Sequence, residues 1–196
     1  MKRLSSRLKI VGFVLILFTL SSCSSNTQSK TLQEENKQLL QLGDSIATEA
    51  QYVLLQNVAE AMQQGGSDHA VEFCNANALS ITSKIADNFK SSIQRLSDKN
   101  RNPNNAISTK QDSLAWQRVK AEKSDFIVQS KNGEKHYYKP ISITMPTCLK
   151  CHGSKTDIPE STQKIIAQKY PNDKAIDYKT GDLRGMWKIQ LADKTN

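Results

Sequence analysis

The sequence has little of what builds a metal or nucleic-acid framework. It holds three histidines and four cysteines in 196 residues. A structural zinc site needs four ligands, commonly supplied as two pairs; the one close cysteine pair has no second Cys or His pair to complete it. The apolar run at residues 10–20 has eleven residues, short of the ~20 that span a bilayer as a helix. No block of five like charges occurs, and basic and acidic residues are interspersed, so the footprint of a nucleic-acid partner is absent. The formal charge of +8 overstates the case: residues 1–22 carry four of the 27 basic residues and none of the acidic ones, leaving 23 against 19. Aromatics make up 6%. Internal repeats and low-complexity segments are lacking. What remains is an ordinary globular composition long enough for one domain.

The N-terminus reads as an export signal. Lys2, Arg3, Arg7 and Lys9 form a positive region before the apolar run, which has the length of a signal-peptide core. The run ends in Leu20-Ser21-Ser22-Cys23, and this is similar to a bacterial lipoprotein signal. The resemblance implies cleavage before Cys23, acylation of that thiol and a firm membrane anchor, since several acyl chains at one point bind far more tightly than one. Ser24 after the cysteine resembles the outer-membrane sorting pattern, so the expected location is the periplasm, anchored by lipid. Residues 1–22 are then the signal peptide, 23–31 a lipid-anchored polar linker, and 32–196 a single domain.

The chemistry gathers at Cys148-Leu149-Lys150-Cys151-His152, followed by Gly153. Two thiols spaced by two residues, with an imidazole directly after, form the attachment site of a c-type haem. Each thiol adds its sulfur and hydrogen across one vinyl group, and the histidine is held beneath the iron as axial ligand. Export fits, because covalent haem attachment belongs outside the bacterial cytoplasm. Cys148 and Cys151 are thereby used on one haem and Cys23 on lipid; Cys74 is left without a partner and asks for a reason.

Along the chain, residues 32–64 lack proline and place Leu39, Leu42, Ile46, Ala50, Val53, Leu54, Val58 and Ala61 at three- and four-residue steps. This predicts a long amphipathic helix, bent near Gly43 and stopped by Gly65-Gly66, whose apolar face packs on its own domain rather than on a partner chain. Ser67 can cap a second helix running to Asn88, with Val71, Cys74, Ala78, Ile81 and Ile85 as its stripe. On the residues alone Cys74 is an inward core thiol. A strand follows at 91–96, a loop at 101–105 and a helix at 111–123. Asn132-Gly133 is the hairpin signal between strands 126–130 and 134–143. Pro159 starts a helix to residue 170, and Trp187, Ile189 and Leu191 alternate with Lys188 and Gln190 in a last strand. The class is α+β, with helices against one face of a small antiparallel sheet.

Taken together, Ala70-Val71-Glu72-Phe73-Cys74, Arg95-Leu96-Ser97, Arg101-Asn102-Pro103-Asn104-Asn105, Tyr137-Tyr138-Lys139-Pro140-Ile141, the haem motif and Gly181-Asp182-Leu183-Arg184-Gly185 resemble a family of extracytoplasmic c-type haem domains with a PAS-like fold. Members occur as free exported proteins and as sensor segments of histidine kinases and chemoreceptors. The resemblance covers about residues 45–192, and Met186-Trp187-Lys188 departs from the smaller, more apolar stretch usual there. It implies that Cys74 supplies a thiolate as second axial ligand opposite His152; His136, Met145 and His69 are the competing donors. Arg95, Arg101 and Arg184 are candidates for the haem propionates, because guanidinium forks match carboxylates. Tyr137, Tyr138 and Trp187 read as core or haem-wall residues.

The expected function is a haem-based redox or small-ligand sensor, with NO or CO as candidate ligands and an unidentified redox or signalling partner, because no kinase segment is present in the chain. A periplasmic single-haem electron carrier is the alternative. A peroxidase-like enzyme would need an open iron site and an acid-base imidazole, which only His69 or His136 could supply, so no enzymatic activity is expected. The oligomeric state is left open.

Overall fold

The computed structural model describes residues 24–191; the expected export signal and the expected lipid site at Cys23 lie outside the described residues. Of the described residues, those up to Asn36 fall in one unit and those from Lys37 in another.

The first helix, α1, runs Ser24–Asn88 with a break at Gly65 and Gly66. It starts earlier than expected: residues 24–31, read from composition as a linker, are helical. Polar composition misled there, since no proline or glycine interrupts residues 24–42 and a helix propagates at little cost once nucleated. The break is as the double glycine predicts. Gly66 has φ 66° and ψ −160°, a region open in practice only to glycine. Ser67 does not act mainly as a cap; its hydroxyl is buried against Thr162 Oγ1 at 2.7 Å.

At Gly43 the helix stays regular, against the expected bend. The glycine is there for contact: a Cβ would lie 2.3 Å from Tyr137 Cγ. The buried face of α1 accordingly runs Leu39, Gly43, Ile46, Ala47, Ala50 and Leu54, while Leu42, assigned to the stripe, is 37% exposed.

Four strands, β1 (Ser92–Leu96), β2 (Phe126–Gln129), β3 (Lys135–Ser142) and β4 (Leu183–Leu191), form one antiparallel sheet in the order β1-β4-β3-β2. The β2–β3 hairpin turns at Gly133, with φ 91°. Alternation along β3 and β4 sends Tyr137, Trp187, Ile189 and Leu191 to the face covered by α1. Tyr138 and Met186 go to the reverse face with Leu96 and Phe126. There a second helix, α2 (Lys110–Glu122), packs Ala115, Trp116 and Val119 against them. The α+β class holds, but helices cover both faces. Lys188 can therefore stand on a buried face only because Asp112 of α2 meets it at 2.9 Å.

Two short elements complete the chain: α3 (Leu149–His152), entered through a 3-10 turn at Pro146–Cys148, and α4 (Glu160–Lys169). Among the described residues no helix is long and apolar enough to cross a membrane.

Candidate functional site

The turn at Pro146–Cys148 and the single turn of α3 put Cys148 and Cys151 three residues apart on a helical path, so both thiols share one face. His152 ends the turn, and Gly153 N–H closes it on Leu149 O at 2.9 Å. Gly153 has no room for a side chain, since a Cβ would sit 2.6 Å from Asp157 Cβ. Asp157 in turn accepts from Ser154 N–H at 2.9 Å and fixes the exit of the motif.

The motif opens onto a cavity of about 370 Å³ between α1 and the sheet, within the ~300–1,000 Å³ usual for ligand sites. Cys74, Cys148, Cys151, His152, Arg95, Arg101 and Arg184 all line it. Its apolar wall comes from Leu54, Val58, Met62 and Ala78 of α1 and from Trp187 of β4, whose indole N–H donates to Gln51 Oε1 at 3.2 Å. Thr144, Met145 and Thr147 border it and are exposed. None of Cys74, Cys148 and Cys151 is in a disulfide. Gly185 lines the cavity too, and β4 passes so close to β1 there that a Cβ would lie 2.6 Å from Leu96 O.

The imidazole of His152 has a defined tautomer. Its Nδ1 lies 2.8 Å from Ala175 O; a carbonyl only accepts, so Nδ1 carries the proton and Nε2 keeps its lone pair for coordination. Burial, with Arg101 and Arg184 nearby, holds the ring well below the ordinary imidazole pKa, so it is neutral at pH 7. Tyr178 meets the ring edge-on with centroids 6.2 Å apart, and its N–H donates to His152 O at 3.0 Å. A strap at residues 173–178 thus runs beside the motif, with Asp177 N–H on Gly153 O at 2.8 Å. The sequence reading missed this strap, which works mainly through backbone groups that leave little trace in residue identity.

Burial raises the Cys74 thiol, with Arg95 and Arg101 opposing. Burial likewise pushes Cys151 up to about 11, again with Arg101 opposing. The guanidinium of Arg95 lies 6.0 Å from the centroid of Trp187, and that of Arg184 lies 5.5 Å from that of Tyr178 and donates to Lys99 O at 3.1 Å. Burial lowers the pKa of both. Among the described residues neither has a carboxylate within salt-bridge distance. Arg101 is different. Its fork pairs with Asp173, with Nε on Oδ1 at 3.2 Å and Nη2 on Oδ2 at 3.0 Å, so this cavity-lining arginine also has a structural tie that Arg95 and Arg184 lack.

The competing donors lie elsewhere. His136 points to the reverse face of the sheet, where Nδ1 is 3.4 Å from Gln111 Nε2, because even positions of β3 face α2. His69 contacts Gln64 at 3.2 Å and is outside the cavity lining. Only Met145 reaches the rim. Of the aromatic candidates, Trp187 is a wall residue, whereas Tyr137 packs under Gly43 and Tyr138 donates to Asp112 at 2.8 Å on the reverse face.

This donor set suits a c-type haem: two free thiols on one face, a neutral imidazole with one free nitrogen, and cations beside an apolar wall. A comparison with curated proteins gives no match. A search of solved structures finds similarity to the crystal structure of the cyanobacterial haem-protein Tll0287, with a TM-score of 0.59 and 27% identity over 80% of this chain and 97% of that one. The model of the Tll0287-like family matches residues 25–192, and on that match the chain belongs to the Tll0287-like family.

Proposed function

We propose that this chain is an exported, lipid-anchored protein that carries one covalent c-type haem and serves as a redox or small-ligand sensor. One observation carries the reading: two thiols, a singly available imidazole nitrogen, a third thiol and two cations without carboxylate partners meet in one cavity. The likeness to a cyanobacterial haem-protein supports it. When bound, the haem supplies a one-electron iron centre with exchangeable axial chemistry.

Cys148 and Cys151 would hold it as thioethers, and His152 Nε2 would ligate the iron. Cys74 would be the second donor to the iron; burial raises its thiol, and Arg95 and Arg101 nearby offset part of that rise. Arg95 and Arg184 neutralise the carboxylate edge. Cys74 sits on the limb of α1 beyond the Gly65–Gly66 break. If reduction, NO or CO weakened the hold of the haem on Cys74, that limb would be free to move about the break, and a partner protein would read the movement. Cys23 and its acyl chains hold the module at the periplasmic side of a membrane, the outer one in a double-membrane cell.

Electron transfer is the second reading, favoured by the exposed border at Thr144, Met145 and Thr147, which brings the cavity edge to solvent. Neither reading includes an enzymatic step. Spectra of the wild type and Cys74→Ala, made with haem-attachment machinery, separate the readings. Thiolate-type low-spin features lost in the variant, with CO binding on reduction of the wild type, support the sensor. A ferrous site closed to CO supports the carrier. Identical spectra would remove Cys74 from the iron.

A further inference from the structure

Arg101 stands at a junction that the haem reading alone does not require. Its side chain is 10% exposed and that of Asp173 is 8% exposed, so the pair is nearly withdrawn from water. Nη2 donates to Cys151 O at 2.7 Å and to Ala175 O at 3.2 Å besides Asp173. Asp173 Oδ1 also accepts from Ala175 N–H at 2.8 Å. Ala175 is therefore held at its N–H and at its carbonyl by one ion pair. That same Ala175 oxygen receives the Nδ1–H of His152. One side chain, from the loop after β1, thus ties the haem motif to the strap and shares its carbonyl with the imidazole.

Resting on the haem reading above, we propose that Arg101, with Asp173, is a positioning residue for the proximal imidazole that sets its orientation and its donor strength. The fork fixes the carbonyl to which the ring is aligned. The cation also draws electron density from that oxygen, making it a poorer acceptor for the Nδ1–H. A ring that keeps its proton firmly donates less charge to the metal through Nε2, which favours the reduced state. The Asp173 carboxylate limits this pull by offsetting the guanidinium charge. The two residues therefore act with opposite sign on the potential.

The test uses the full exported holoprotein. In Arg101→Gln the ferric-to-ferrous ratio at fixed ambient potential rises about tenfold, or about 59 mV for one electron, and the low-spin EPR pattern broadens as the ring loses its alignment. Asp173→Asn leaves the cation uncompensated and moves the ratio the other way. Arg101→Lys keeps the charge without the fork, so its potential falls between those of Arg101→Gln and the wild type while its EPR pattern broadens too. Variants that melt at lower temperature but keep the wild-type potential and EPR pattern overturn the proposal, leaving Arg101 a packing residue. Shifts of the same sign in Arg101→Gln and Asp173→Asn overturn it as well. Should Arg101→Gln fail to accumulate, the direction of the Asp173→Asn shift decides: no shift, or one toward ferric, refutes it. Wild type without covalent haem is a different outcome, refuting the haem reading itself.

Discussion

Gly43→Ala sets two principles against each other. In the interior of a helix, alanine is favoured over glycine by about 0.8–1.0 kcal/mol, so propensity alone makes the substitution stabilising. Contact gives the opposite sign. The new Cβ would lie 2.3, 2.6 and 2.7 Å from Cγ, Cδ2 and Cδ1 of Tyr137, where carbon atoms prefer about 3.5–4.0 Å. The ring has to retreat by more than about 1 Å. It has nowhere to go: Tyr137 is fully buried and packs with Trp187 and Ile189 in one cluster, and its hydroxyl donates to Asp125 Oδ2 at 3.0 Å. Overpacking of a tight core costs about 1–3 kcal/mol, and a pinned ring belongs at the upper end. The net loss is then about 2 kcal/mol, or roughly 4–8 °C in Tm for a domain of this size. Thermal and urea unfolding followed by circular dichroism measure it. The double variant supplies the control, because in a Tyr137→Ala background the three clashing atoms are gone and Gly43→Ala becomes neutral or stabilising relative to that background. If Gly43→Ala melts at or above the wild type, the close-approach account of this glycine is wrong.

Three further outcomes follow from the same geometry. Burial pushes the Asp112 carboxyl up, but hydrogen bonds from Thr109, Lys188 and Tyr138 outweigh it and hold the pKa below the usual range; its stabilisation is present above about pH 4 and fades as pH falls through the depressed value. Asp112→Asn should flatten that acid limb in a stability–pH profile, and at pH 7 cost about 2 kcal/mol, between the surface and buried limits for an ion pair. Arg95→Gln and Arg184→Gln remove a buried cation that has no carboxylate within salt-bridge distance among the described residues, so without haem they are neutral or stabilising; with haem bound they would lose a charge-assisted bond, about 1.5–3 kcal/mol. Calorimetry of both forms reads that change of sign. Gly66→Ala forces an L-residue into φ 66°, ψ −160° and lowers stability by about 1–3 kcal/mol, visible as a lower urea midpoint.

Legibility in the sequence followed how local each cause is. The Asn132-Gly133 hairpin and the double-glycine break rest on chemistry within a few residues, and each stands where the spacing puts it. Gly43 was misread because its cause is Tyr137, far along the chain, and a glycine in a helical pattern signals a bend and a contact alike. Leu42 and Gly43 sit one step apart on the helix, so the apolar stripe absorbed the leucine and hid the true buried face. The Asp173 partner of Arg101 was equally out of reach, because an arginine's type suits a propionate and an aspartate alike and only the fold brings Asp173 to it. His136 could be set aside only with the sheet in hand, because strand alternation gives two faces without saying which one borders the cavity. Residues 173–178 left the least trace, since Ala175 contributes a carbonyl that any residue would supply.

The central claim is that Cys148 and Cys151 fasten one haem in the cavity beside His152. Its most direct test is the mass and absorbance of the exported chain after denaturation and acidified organic extraction, compared with Cys148→Ala/Cys151→Ala. The account predicts that the wild type retains the mass of one haem and its absorbance through extraction, and that the double variant loses both. A wild-type chain at its apoprotein mass, or one that surrenders all its colour to the organic phase, contradicts it.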